Sequence, residues 1–198
     1  IVHGLGDRPR IAREPEPEEM PLRVLMPEAP TPFDRGRAWF PIRVRDGRGA
    51  DMAKALRQTT HELADFLDAA VARYGSPCRP IVAGFSQGGI VAWALAVRHP
   101  DSVTAAFPMA SWLPPEIATE ARQRAPSLPP VRMLHGDRDR IVPLRGTHSI
   151  VEVLAAGGAS IELEVEEGAG HELTAGMKLR LARLFGESIA RCVDAASM

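Results

Sequence analysis

The sequence predicts an α/β fold in which a mostly parallel sheet is covered by helices on both faces. Short apolar segments alternate with longer segments of helical periodicity along most of the chain. The segment at residues 81–85 is apolar without interruption, as expected for a strand whose two faces are both covered. Glycine-rich or polar loops follow these strand-like segments, and active sites collect at that edge of a parallel sheet.

The N-terminal part predicts two short strands with a loop between them. Residues 1–2 end the first strand, and residues 22–26 form the second. The stretch at 8–21 is rich in proline and glutamate, so we expect a solvated loop there. A long irregular segment is expected to begin at Pro30.

This irregular segment carries two aromatic side chains, Trp39 and Phe40. Aromatic residues in such a loop form either a wall of a substrate pocket or a cap over the hydrophobic core. The sequence alone leaves both roles open.

The rest of the chain predicts an alternation of helices and strands. Apolar residues at helical spacing and a glycine stop predict a long amphipathic helix first, and the helix after residue 88 is apolar enough to be buried. The expected helices span residues 50–74, 89–98, 118–124, 147–156 and 173–193, and the expected strands span 81–85, 103–110, 131–135 and 161–165.

Length and composition indicate one domain, covering residues 1–198. Hydrophobic residues make up 45% and charged residues 25%, which are ordinary globular values. The formal net charge of -1 gives no electrostatic basis for a nucleic acid or an anionic membrane partner. Apolar runs are too short to span a bilayer, so integral membrane association is not expected.

The two cysteines, Cys78 and Cys192, match no metal-binding or redox spacing. We therefore expect two reduced thiols in a cytoplasmic protein. The chain begins at Ile1, within a predicted strand, so we also expect the native N-terminus, with one or more strands and any targeting segment, to lie upstream.

A Gly-x-Ser-x-Gly pattern occupies residues 84–88, between a predicted strand and a predicted helix. This is the setting of a nucleophile elbow, in which a serine lies on a sharp strand-to-helix turn. Ser86 is therefore the candidate nucleophile. The pattern is short, so its interpretation depends on partners elsewhere in the chain.

A second glycine-rich loop, HGLGD, occupies residues 3–7 after the first predicted strand. It could turn backbone N–H groups toward an anion and form half of an oxyanion hole. An ordinary glycine-rich turn is the alternative.

A serine nucleophile needs a histidine base and a carboxylate that orients it. Among the six histidines, His171 follows the last predicted strand on a glycine-flanked loop, where an imidazole can reach the elbow. Asp137 and Asp139 both follow the strand at 131–135, and spacing does not choose between them. The order serine, aspartate, histidine is that of α/β-hydrolases.

Several motifs occur in one order over nearly the whole chain: residues 3–7, 27–30, 39–40, 84–89, 111–114, 135–136 with Asp139 and 142–143, and 170–171. In sequence and order they resemble the phospholipase/carboxylesterase family of α/β-hydrolases, which includes bacterial carboxylesterases and acyl-protein thioesterases. The resemblance implies an α/β-hydrolase fold with a minimal cap domain or none.

The resemblance also implies roles for individual residues. The family pattern H-G-x-x-D-x-x-V-P places the acid at Asp139 and leaves Asp137 as a loop residue. The oxyanion hole falls on the backbone N–H groups of Leu5 and Gln87. The acyl groove would be lined by Trp39, Trp112, Leu113, Ile141 and Val142.

The implied activity is that of a serine carboxylesterase acting on small esters of short to medium acyl chains through an acyl-enzyme on Ser86. The family needs neither a metal nor another cofactor, and its relatives are compatible with a homodimer. Two alternatives stay open: a lysophospholipase or protein S-acyl thioesterase, and a non-catalytic binding module on the same fold.

Two departures from the family pattern concern the surroundings of the elbow. The family has a full helix where this chain has a short Pro- and Glu-rich stretch between Asp7 and Leu22. The family's Trp-Phe-Asp is Trp39-Phe40-Pro41 here, which removes a carboxylate near the groove.

Overall fold

The computed structural model describes residues 1–2, 4–5, 7, 23–41 and 49–196. Within them a parallel sheet is flanked by helices, which confirms the predicted fold class. The strands are β1 Thr31–Phe33, β2 Gly36–Ala38, β3 Ile81–Phe85, β4 Ala105–Met109, β5 Val131–Gly136 and β6 Ile161–Glu166. The helices are α1 Gly49–Tyr74, α2 Gln87–Arg98, α3 Pro115–Arg124, α4 Leu144–Ala156 and α5 Ala175–Ala196.

The main sheet has the spatial order β3-β4-β5-β6, and each neighbouring pair is parallel. Successive residues of a strand point to opposite faces, so β3, β4 and β5 each contribute to two hydrophobic cores, one on each face of the sheet, while β6 contributes Ile161 to one of them. One face packs with residues of α1 to α4, and the other packs with residues of α5. On the α5 side the rings of Phe107 and Phe185 meet edge to face, with centroids 4.9 Å apart.

Helix α2 is buried from Gln87 to Val97. Its apolar surface leaves no solvated face, as the sequence predicts, because it packs on β3 and β4 while α1 and α3 cover it from outside. This central position fixes the direction in which the chain leaves β3.

The other helices occur where they were predicted, with shifted ends. Helix α3 begins at Pro115, three residues before the expected start, because proline is well tolerated in the first turn of a helix. Helix α4 likewise begins earlier, at Leu144. Across the described residues, none of the helices combines the length and apolar character needed to cross a membrane.

Two predictions for the N-terminal part were wrong. The described part of the strand expected at 22–26 has no strand, and its Val24 side chain is exposed, so little apolar burial would stabilise one there. The segment expected to be irregular from Pro30 contains the antiparallel hairpin of β1 and β2, in which Thr31 pairs with Ala38. Proline is compatible with the short, exposed strand β1 of this hairpin.

The prediction of two reduced thiols was also wrong, because Cys78 and Cys192 form a disulfide with a Cα–Cα distance of 6.1 Å. Cys78 lies in the loop between α1 and β3, and Cys192 lies in α5. They are 114 residues apart in sequence, so spacing gave no sign of their contact. Disulfides persist mainly in oxidising compartments, and the expectation of a cytoplasmic location therefore loses its support from the cysteines.

Some predictions lie outside the described residues. These are the solvated loop at 8–21, most of the stretch that departs from the family helix, and the contributions of His3 and Gly6 to the glycine-rich loop.

Candidate active site

Ser86 lies on the turn between β3 and α2, with φ 53° and ψ -115°. A positive φ is uncommon for a residue with a side chain and costs on the order of 1–3 kcal/mol. The Ser86 N–H donates to the Met109 carbonyl at 2.9 Å, and the Ser86 carbonyl accepts from Ile90 at 3.1 Å. The end of β4 and the first turn of α2 thus hold the serine in this strained conformation.

The elbow also depends on a close backbone approach at Gly84. A β-carbon at this position would lie 2.1 Å from the carbonyl oxygen of Gly88. Only glycine allows the strand and the helix start to meet at this separation.

The side chains of Ser86, His171 and Asp139 form a continuous hydrogen-bonded chain. The His171 Nε2 lies 3.0 Å from the Ser86 Oγ, and the His171 Nδ1 lies 2.7 Å from the Asp139 Oδ2. An ionised carboxylate only accepts hydrogen bonds, so Nδ1 carries the proton in neutral His171. The Nε2 lone pair then accepts the Ser86 hydroxyl.

The Asp139 side chain is fully buried. Its Oδ1 accepts the N–H groups of Ile141 at 2.9 Å and Val142 at 2.8 Å. Burial alone would raise the pKa of Asp139, but the Val142 N–H, the His171 imidazole and the Ile141 N–H outweigh it. Together they hold the pKa of Asp139 below its ordinary value.

The loops that carry the aspartate and the histidine are hydrogen-bonded to each other. The Asp137 N–H donates to the Glu166 carbonyl at 3.2 Å, and the Arg138 N–H donates to the Ala169 carbonyl at 2.9 Å. The Asp137 Oδ1 accepts the Gly168 N–H at 2.7 Å. Asp137, the other acid that spacing allowed, therefore connects the two loops.

The two expected oxyanion donors lie at the same edge of the sheet. Val2 pairs in parallel with Gly84 of β3, so the chain that continues to Leu5 runs in the same direction as the chain that continues to Gln87. Leu5 lies in a turn closed by an Asp7 N–H bond to Gly4. Gln87 is the first residue of α2, where N–H groups have no intrahelical acceptor.

The five residues expected in the acyl groove differ in exposure. Trp39 is only 4% exposed, which fits the alternative of a core cap. Leu113 and Val142 are also buried, whereas Trp112 is 37% and Ile141 72% exposed. Trp112 and Ile141 follow β4 and β5, so both belong to loops at the edge that carries Ser86.

The sequence did not reveal three contacts around this site. The Gln87 side chain binds the backbone of Trp39, Asp137 binds the histidine loop, and the His135 Nε2 lies 3.4 Å from the Asp139 Oδ2. The only local signal was that His135 and Asp137 flank the glycine at the end of a strand.

A parallel sheet with helices on both faces and a Ser-His-Asp chain at its carboxyl edge defines the α/β-hydrolase class of protein. The family model described as phospholipase/carboxylesterase matches residues 1–182. The chain belongs to this family of carboxylesterase-like hydrolases.

Curated relatives and solved structures resemble the chain at low identity. A probable carboxylesterase of Oryza sativa subsp. japonica is 29% identical over 174 residues, covering 79% of this chain and 71% of the relative. A probable inactive carboxylesterase of the same plant is 27% identical over 194 residues, covering 87% and 76%. The crystal structure of Arabidopsis thaliana SOBER1 has a TM-score of 0.71 at 20% identity, covering 97% and 96%.

Proposed function

We propose that the protein is a serine carboxylesterase that hydrolyses small esters of short to medium acyl chains. The observation that carries this proposal is the hydrogen-bonded chain from Asp139 through His171 to Ser86, on a strained turn. A serine hydroxyl could be held by many acceptors, but an imidazole that is itself bound to a buried carboxylate is the arrangement that activates it.

In the proposed mechanism the Ser86 Oγ attacks the acyl carbon while the His171 Nε2 takes its proton. Asp139 stays ionised, keeps the proton of neutral His171 on Nδ1 and stabilises the imidazolium. The backbone N–H groups of Leu5 and Gln87 bind the oxyanion. His171 then protonates the leaving alcohol, and a water activated by the same imidazole hydrolyses the acyl-enzyme, so no cofactor takes part.

We propose that the acyl chain lies against Trp112 and Ile141, the two exposed apolar side chains of the expected groove. Leu113 and Val142 would support this surface from beneath, and Trp39 would support the elbow from the core. An exposed surface of this kind covers little of an extended acyl chain, so methylenes beyond a medium length should add little binding energy.

The test is the hydrolysis of p-nitrophenyl acyl esters by wild type and by Ser86→Ala. Wild type should react, and should be labelled by a fluorophosphonate at Ser86, whereas the variant should lose both properties. A variant that hydrolyses the esters as fast as wild type would refute the mechanism. This test is needed because one of the relatives is described as inactive.

An acyl series from acetyl to palmitoyl, on oxygen and sulfur esters, separates the remaining alternatives. An optimum at short or medium oxygen esters supports the proposal. An optimum at palmitoyl esters or thioesters would instead indicate a lysophospholipase or protein S-acyl thioesterase. A folded wild type without hydrolysis or labelling would indicate a binding module.

A further inference from the structure

His135 is a fully buried imidazole next to the acid of the hydrogen-bonded chain, and the mechanism above does not use it. It is the penultimate residue of β5, four positions before Asp139. Its Nε2 lies 2.8 Å from the Val142 carbonyl and 3.4 Å from the Asp139 Oδ2. Both neighbours are acceptors, so the Nε2 must carry a proton.

The other ring nitrogen, Nδ1, is buried and has no hydrogen-bond partner among the described residues. A neutral imidazole with its proton on Nε2 leaves only a lone pair unsatisfied at Nδ1. The opposite neutral tautomer would place an unpaired Nδ1–H in the core and turn an Nε2 lone pair toward the two acceptors, which is more costly. The surroundings therefore select one tautomer.

The backbone of Val142 connects His135 to the carboxylate of Asp139. The Val142 carbonyl accepts from His135, and the Val142 N–H donates to the Asp139 Oδ1 at 2.8 Å. His135 therefore holds Val142 in place, and Val142 in turn holds the Oδ1 of Asp139. The other oxygen, Oδ2, lies between the imidazoles of His135 and His171.

We propose that His135 is a positioning residue for Asp139: its Nε2–H holds the Val142 carbonyl and faces Oδ2, so that Oδ2 stays aligned with the His171 Nδ1. The proposal rests on the proposed esterase function. A histidine that merely fills the core is the alternative, and it would affect stability without a specific effect on turnover.

Two substitutions separate these alternatives. Glutamine can place an amide N–H where Nε2 lies, because both atoms are four bonds from Cα, whereas asparagine is one bond shorter. His135→Gln should keep kcat for p-nitrophenyl butyrate within about threefold of wild type. His135→Asn should lower kcat about tenfold or more with KM within about twofold, since misalignment affects the transition state more than binding.

Thr60→Val is the matched control. The buried Thr60 hydroxyl donates to the Leu56 carbonyl within α1, so the variant also loses a buried bond to a carbonyl, but on a helix that carries none of Ser86, Asp139 and His171. It should lose stability and keep kcat. The proposal is overturned if His135→Asn, while folded, keeps wild-type kcat, or if His135→Gln and His135→Asn lose it equally.

Nuclear magnetic resonance gives a readout that is independent of turnover. In wild type, the ¹⁵N shifts of His135 should show a protonated Nε2 and an unprotonated Nδ1, and the opposite tautomer would overturn the proposal even if no variant folds. The downfield proton of the His171 Nδ1 should persist in His135→Gln and weaken in His135→Asn. If only the esterase proposal fails, wild type will show neither fluorophosphonate labelling nor ester hydrolysis. The resonances of His135 and His171 will still report the geometry around Asp139, so the two failures can be distinguished.

Discussion

The Gln87 side chain is hydrogen-bonded to the backbone of Trp39, a residue 48 positions earlier in the chain. Its Oε1 accepts the Trp39 N–H at 2.9 Å, and its Nε2 donates to the Phe40 carbonyl at 2.8 Å. The Trp39 carbonyl in turn accepts the Thr59 hydroxyl at 2.9 Å. The residue after the candidate nucleophile thus joins the elbow to the segment 39–40 through both ends of its amide.

Gln87→Leu should therefore destabilise the fold by about 2–4 kcal/mol, because it removes two buried hydrogen bonds, one from the Trp39 N–H and one to the Phe40 carbonyl. Urea denaturation of wild type and variant measures the difference. Gln58→Leu is the control, since Gln58 is an exposed residue of α1 whose side chain donates to Glu62 on the same helix, and it should change stability by less than about 0.5 kcal/mol. Equal losses in the two variants would contradict this account of Gln87.

Asp139 should make stability depend on pH in the acid range. Its pKa in the folded protein is lowered from 3.8, so the unfolded state binds more protons as the pH falls toward that value. The stabilisation from the ionised carboxylate is fully present above the unfolded pKa and is lost as the pH falls through the folded pKa. We expect the difference in unfolding free energy between wild type and Asp139→Asn to shrink from pH 5 to pH 3. A difference that stays constant over this range would show that the native contacts do not favour the ionised form.

The sequence was sufficient to predict the parts of the fold in which a local pattern and the tertiary environment agree. The uninterrupted apolar run at 81–85 became the covered strand β3, and the almost wholly apolar helix after it became the buried α2. Ser86 and His171 could be selected because parallel strands bring the loops at their carboxyl ends together, whereas the choice of Asp139 over Asp137 came from the family resemblance.

The contacts that the sequence did not predict join residues that no local pattern connects. The Phe40 carbonyl, which accepts from the Gln87 Nε2, lies 47 positions from Gln87 in the sequence, and Cys78 lies 114 positions from Cys192. The position of His135 beside Asp139 depends on how the loop after β5 folds back, which periodicity does not encode. Burial of Trp39 was left open for the same reason, since its packing depends on α1 and α2 together.

The disulfide should contribute to stability by restricting the unfolded chain. Closing a loop with a sequence separation of 114 removes about 4–5 kcal/mol of chain entropy in the simplest model, and measured values are commonly about 2–4 kcal/mol. The free energy of unfolding should therefore fall by about 2–5 kcal/mol in Cys78→Ser, in Cys192→Ser and in the double variant. The three losses should be equal, because each variant breaks the same bond. Ester hydrolysis at 25 °C should change little. Thiol titration of the unfolded, unreduced wild type should detect no free thiol, and two thiols per chain would contradict the bond.

The substitution Gly136→Ala tests the contact between the loop that carries Asp139 and the loop that carries His171. A β-carbon there would lie 2.3 Å from the Ala169 carbonyl oxygen and 2.7 Å from the Gly170 carbonyl oxygen. Both neighbours are backbone atoms, so Gly136→Ala must push the loop before His171 away from the loop that carries Asp139. We expect a loss of about 1–3 kcal/mol in unfolding free energy, and a fall in kcat of about tenfold to a hundredfold.

Gly146→Ala provides the matched comparison, because a β-carbon at this position of α4 would meet no atom within 4 Å beyond its chain neighbours and the backbone of its own helix. Alanine is the better helix former, so this variant should gain about 0.5–1 kcal/mol and keep wild-type kcat. Measuring unfolding free energy and p-nitrophenyl ester turnover in both variants separates the general effect of an added methyl group from displacement of the histidine loop. If Gly136→Ala retained wild-type turnover, the spacing between these loops could not be what aligns His171 with Asp139, and the hydrogen bonds of Asp137 and Asp139 would have to maintain that alignment by themselves.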